Sequence, residues 1–134
     1  MKLADSFKAS SPDDIKAAFA GGKLVVYSVA RPSSPNVPVQ RSGVLATFVF
    51  AAPAFNVEAP PAEDGTVLPL FVDNPVVAAG IGTPGFARAF KADGTVIADF
   101  SAGSGNTDIK FNQVSTVTNY PVTLTKFKFE LPAQ

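Results

Sequence analysis

Twelve prolines and ten glycines punctuate this chain, and between them the apolar residues fall into short runs, most of them alternating. Short runs of period two are the signature of strands, because successive side chains on an extended backbone point to opposite faces. Twelve phenylalanines are spread along the chain, many of them in these runs, so the inward faces are aromatic. The pattern predicts an all-β fold, an antiparallel β-sandwich of jelly-roll or related Greek-key type with about eight strands. One short N-terminal helix joins it.

The helix is expected over residues 12–20. Ser11-Pro12-Asp13-Asp14 is a start signal, with a capping hydroxyl, a proline at the first position and acids at the positive end of the dipole. Ile15, Ala18 and Phe19 form one apolar stripe, and Gly21-Gly22 ends it. Beyond it the period becomes two. Lys23–Val29 is apolar on both parities, as in a strand covered on both faces. Val44–Phe50 is the strongest strand, with Val44, Ala46, Phe48 and Phe50 on its more apolar face. Thr66–Val72, interrupted by Pro69, belongs at an edge. Val76–Ala79 is a short strand. Phe86–Lys91 and Thr95–Phe100 flank Asp93-Gly94, a hairpin signal. Asp108–Phe111 and Pro121–Leu131 complete the set. In the last run the apolar parity slips near Thr125-Lys126, which predicts a bulge or a crossing between sheets.

At 134 residues the chain is one domain, able to bury roughly two-thirds of its unfolded surface. Residues 1–10 are expected to form an N-terminal arm, ordered on binding, and residues 11–134 the single sandwich domain. Eleven basic and eleven acidic residues cancel, which gives no support for nucleic-acid or anionic-membrane binding. The first residues lack the apolar core of a signal peptide, so the expectation is synthesis in a cytoplasm without export. Histidine and cysteine are absent, and with them the commonest general base, the thiol nucleophile and the usual zinc ligands. No enzyme, cofactor, metal or small-molecule substrate is expected. Charge is uneven: no Lys or Arg lies between Arg41 and Arg88, where Glu58, Glu63, Asp64 and Asp73 fall. Acidic loops or an acidic docking edge both fit.

Several motifs resemble sites and are better read as turns. Gly80-Ile81-Gly82-Thr83-Pro84-Gly85 matches the dinucleotide fingerprint in letters. Pro84 removes an amide, however, and strand periodicity comes next, where a helix must open. The loop from Ala102 to Asp108 lacks the lysine and hydroxyl of a phosphate loop and the spaced ligands of a calcium loop. Asp13-Asp14 fits helix capping and Glu63-Asp64 a solvated loop, while Asp99 and Asp108 flank the glycine loop and could converge. Arg88, between Phe86 and Phe90 on one parity, is either a core-rim arginine with a carboxylate partner or an interface anchor.

Read in order, Gly22-Lys23-Leu24-Val25-Val26-Tyr27-Ser28, Ala30-Arg31-Pro32, Val44–Phe48, Pro53-Ala54-Phe55, Phe86–Phe90 with Asp93–Val96, Asp108–Phe111 and Phe127–Leu131 resemble small structural proteins of tailed bacteriophages and prophages. Some of these are capsid cement or decoration proteins with a jelly-roll fold. The short helix and the acidic loop from Asn56 to Gly65 depart from that pattern. The resemblance implies a virion protein on the capsid exterior that binds the major capsid protein, self-associates as a dimer on the shell and holds the head against internal pressure. A neck or tail adaptor, a fibre module, and a carbohydrate- or protein-binding module are the alternatives. The proline-rich segment from Arg31 to Arg41 would then be an extended arm, with Arg31, Pro32, Pro35, Val37, Pro38, Arg41 and Arg88 as partner contacts.

Overall fold

The computed structural model describes residues 2–4, 12–28, 44–52, 54, 69–103, 107–112 and 115–128. Their architecture is mostly β, and every strand ladder is antiparallel. Five strands form the main sheet: β1 (Lys2–Leu3), β2 (Lys23–Tyr27), β3 (Val44–Val49), β5 (Phe86–Phe90) and β6 (Val96–Ser101), in the order β1-β6-β5-β2-β3. Two further ladders pair β4 (Val76–Val77) with β8 (Pro121–Val122), and β7 (Ile109–Phe111) with β9 (Leu124–Phe127). A seven-residue helix, α1 (Pro12–Ala18), precedes β2. Gly21, at φ 70°, reverses the chain between them, a conformation glycine adopts without a Cβ penalty.

One aromatic core joins these parts. Phe19, Phe50, Phe100 and Phe127 meet with ring centroids 4.7–6.4 Å apart, and Phe48 lies 6.0 Å from Phe111. Ile15 and Phe19, four residues apart, bring the α1 segment into the same cluster, while Phe127 and Ile109 bring in the β7–β9 ladder. Each fully buried side chain of this size contributes about 2–3 kcal/mol of hydrophobic transfer.

β2 is buried on both faces: Leu24 and Val26 enter this core, whereas Val25 and Tyr27 join Phe86 in a second, smaller cluster on the other side of the sheet. That is why both of its parities are apolar. β3 departs from the even-face expectation at its start. Ala46 and Phe48 are buried, but Val44 is exposed and Leu45 buried in its place. The ladder register shifts between Val26 and Tyr27, and that bulge turns the first residues of β3 over. Within the described part of the expected edge strand, Phe71 makes an isolated bridge to Phe50, the Ala51 amide donates to the Leu70 carbonyl and the Val72 amide to the Val49 carbonyl.

The hairpin turn is longer than the two residues its Asp-Gly signal implies. Lys91 donates to the Thr95 carbonyl and Gly94 to the Lys91 carbonyl, so the loop is Ala92-Asp93-Gly94 with only Gly94, at φ 93°, in the left-handed half of the map. A register shift after Ala89 then leaves Ile97 as an extra residue in β6. In the last run, Phe111 pairs with Leu124 and Lys110 with Lys126, which leaves Thr125 as the bulge. The run also divides at Thr123: β8 pairs with β4, and β9 with β7.

Candidate functional site

The bulge at Ile97 builds the most distinctive polar group of the chain. It moves Asp99 onto the face of β5 that carries Arg88 and makes the two cross-strand partners. Arg88 Nε donates to Asp99 Oδ1 at 2.7 Å and a second guanidinium nitrogen donates to Oδ2 at 3.0 Å. The pair is bidentate and enclosed, with Arg88 3% and Asp99 0% exposed. Around it, Tyr27 stacks on Phe86 at 5.0 Å, and the guanidinium carbon lies 5.8 Å from the Phe86 ring centre. Burial raises the Tyr27 phenol above its ordinary value; the Arg88 cation opposes that and the Asp99 carboxylate adds to it. A buried ion pair with both carboxylate oxygens engaged is a structural group: it has no free base to offer.

The other sequence motifs resolve into local architecture. Gly80 and Gly82 lie against β3, where a Cβ on Gly82 would stand 3.1 Å from the Leu45 side chain and one on Gly80 3.1 Å from the Val44 carbonyl oxygen. The Thr116 hydroxyl lies 2.9 Å from the Gly80 carbonyl and 3.2 Å from that of Gly82, and Gly82 bridges Thr116 through its backbone. Gly85 leads directly into β5, a strand, so no helix opens from this turn. In the glycine loop, Asp108 and Ser101 bond reciprocally: the Ser101 amide donates to Asp108 Oδ2 at 3.3 Å and the Asp108 amide donates to Ser101 Oγ at 2.9 Å. Asp99 and Asp108 therefore serve different partners. Asp93 is exposed in its turn, and the Thr95 amide, donating to its carboxylate at 2.9 Å, holds it below the usual carboxylate range.

A shallow groove runs between the Gly21–Lys23 turn, Val49 and the Lys91–Gly94 hairpin. Lys23 and Lys91 border it, but the Lys23 ammonium sits 5.7 Å over the Phe90 ring. No group of three or more metal-ligating side chains occurs among the described residues. No described helix is long and apolar enough to cross a membrane.

Of the expected contact residues, Arg31, Pro32, Pro35, Val37, Pro38 and Arg41 lie outside the described residues, as do residues 5–10 of the arm. Arg88 is described, and its head meets a carboxylate inside the protein. Sequence reasoning did not mark Asp99 as buried. Counting back from Asp93-Gly94 as a two-residue turn sets Arg88 opposite Asp99; in the structure the three-residue turn shifts that register by one, and the extra residue at Ile97 restores it.

Among the described residues, eight large apolar side chains reach the surface. Val44, Val77, Ile81, Val117 and Tyr120 are exposed around one end of β3, and Val49, Leu70 and Val72 around the other. Comparison with known proteins adds no relative: no family model, no curated protein and no solved structure matches this chain.

Proposed function

We propose that this chain is a non-enzymatic structural protein of a tailed-bacteriophage virion, a capsid decoration protein that binds the outside of the major capsid shell and stabilises the head. It would be made in the host cytoplasm and act on the capsid exterior. The observation that carries the reading is where the polar groups go. Arg88 is engaged by Asp99, Asp108 by Ser101 and Thr116 by the Gly80–Gly82 turn, while eight large apolar side chains among the described residues stay exposed. A scaffold that satisfies its buried charges internally and shows several large apolar side chains at its surface is suited to adhesion, and the ordered resemblance of its segments to phage structural proteins supports the setting. Many weak, symmetry-related contacts suffice on a repetitive shell.

The jelly-roll sandwich belongs to the same proposal. Its support is the packing of Phe127 and Phe111 from the β7–β9 ladder onto Phe100, Phe50 and Phe48 of the main sheet.

Sedimentation of the native protein in a lysate of its source, with peptide mass spectrometry across the gradient, tests the function. Co-migration with a major capsid protein in very large particles is expected, at a copy number comparable to the shell's. A few copies per particle would place it in the neck or tail. A small species at the top of the gradient overturns the virion reading.

A further inference from the structure

Asp108-Ile109-Lys110-Phe111 and Lys126-Phe127-Lys128 each alternate charged with apolar residues, so each strand turns one face to the core and one to solvent. The β7–β9 register pairs Ile109 with Phe127, both fully buried, and Lys110 with Lys126. The two lysines therefore stand on the outer face of the ladder, directly across from each other and each half-buried. Side chains so placed start about 5 Å apart at Cβ, and like charges at that spacing repel. No carboxylate forms an ion pair with either among the described residues. The nearest acid along β7 is Asp108, whose carboxylate accepts from the Ser101 amide. There the Lys128 amide donates to the Asp108 carbonyl, which sets an acid across from a base. The Lys110–Lys126 rung breaks that pattern, and local rules of this kind are broken mostly at functional positions.

We propose that Lys110 and Lys126 form an anion site, and that its ligand is a dianionic tetrahedral oxyanion, a phosphate either free or as a monoester. The argument is charge and shape. An anion seated between the two ammonium groups turns one repulsive contact into two attractive ones, each a charge-assisted hydrogen bond. Two cations call for two negative charges, which a phosphate monoester approaches near neutral pH and a single carboxylate does not. Lysine is a point charge with three rotatable donors and lacks the planar fork that matches a carboxylate edge. Two such groups reaching in from opposite strands suit an anion that offers a separate oxygen to each. The site is open to water, so binding is weak, with a dissociation constant on the order of millimolar.

The proposal is independent of the virion reading and is tested by thermal melts of the full chain at about pH 8, where a phosphate monoester carries two charges. At constant ionic strength, chloride is replaced stepwise by inorganic phosphate, glycerol phosphate or acetate, up to about 20 mM. Phosphate is expected to raise the melting temperature saturably, by about 2–5 °C, and acetate to leave it unchanged. Lys110→Gln and Lys126→Gln each abolish the rise, whereas Lys91→Gln, beside the β5–β6 turn, keeps it. Both site variants relieve repulsion, so they fold, and their own melts show it. Backbone amide shifts at Lys110 and Lys126 that titrate together with the melt locate the ion. A response to glycerol phosphate as well assigns a phosphoryl group carried on a larger molecule, and a response to phosphate alone assigns the free ion; either sustains the proposal. No rise, an equal rise with acetate, or a rise that survives in both site variants overturns it, the last being a general effect of salt on the surface.

Discussion

The Arg88–Asp99 pair shows how much one buried charge depends on its neighbour. With Arg88 4% and Asp99 0% exposed at the side chain, neither can be hydrated if the other is removed. Arg88→Met therefore strands a buried carboxylate and is expected to lose about 3–5 kcal/mol in urea unfolding, and Asp99→Leu a similar amount. Replacing both at once leaves apolar groups of comparable size on the Phe86 face, so the double variant recovers most of the loss. A double variant as damaged as the sum of the singles would mean that the two side chains are not coupled. The neighbouring Tyr27 gives a second test, at alkaline pH. Its phenol is raised by burial, so the native state favours the protonated form; stability from this source is intact below pH about 10 and falls as pH rises beyond it. Urea midpoints at pH 9 and pH 11 should drop more for the wild type than for Tyr27→Phe, which has no phenol to ionise. An equal drop in both would show that Tyr27 does not sense its surroundings. Arg88 was legible in the sequence as an unusual residue, and a two-residue Asp93-Gly94 turn already sets Asp99 opposite it. What local sequence does not show is the route, a three-residue turn whose one-residue shift the extra residue at Ile97 cancels.

The same lesson holds for whole elements. Asp93-Gly94 and the alternating runs beside it mark the β5–β6 hairpin from local chemistry alone, since a residue able to take positive φ is required at Gly94. The parity slip in the last run was equally readable, and the Thr125 bulge absorbs it. What could not be read is the division at Thr123. β8 and β9 are sequential, and only their distant partners, β4 and β7, separate them. Likewise, Val44 is exposed because Leu45 is an extra residue in β3, a bulge fixed by the pairing with β2 that the alternating run does not mark. The β7–β9 register also sets Lys110 directly across from Lys126. No carboxylate forms an ion pair with either among the described residues, and like charges opposed across strands are unfavourable. Lys126→Glu converts the pair to an attractive one and should stabilise the protein by about 0.5–1 kcal/mol at low salt, less at high salt. Thermal melts at two salt concentrations would show it; destabilisation independent of salt would contradict the cross-strand contact.

At the scale of the molecule the question is whether the small ladders are parts of one cooperative core or attachments to the main sheet. The aromatic contacts argue for one core. Phe127 comes from β9, outside the five-stranded sheet, yet its ring lies 4.7 Å from Phe100 of β6 and 6.4 Å from both Phe50 and Phe19. Removing it would open a void among rings from three separate parts of the chain, and such voids collapse poorly because close-packed neighbours cannot follow. Phe127→Ala is accordingly expected to lose about 3–5 kcal/mol of global stability while unfolding stays a single transition. Val72→Ala, a truncation at an exposed position, should change it by about 0.5 kcal/mol or less. Urea unfolding followed by far-ultraviolet circular dichroism and by tyrosine fluorescence separates the cases. Coincident curves with a large loss for Phe127→Ala mean that the β7–β9 ladder closes the core, as a sandwich requires. A loss below about 1 kcal/mol, or two separated transitions, would mean that this ladder lies loosely against the sheet, and the jelly-roll reading would lose its support.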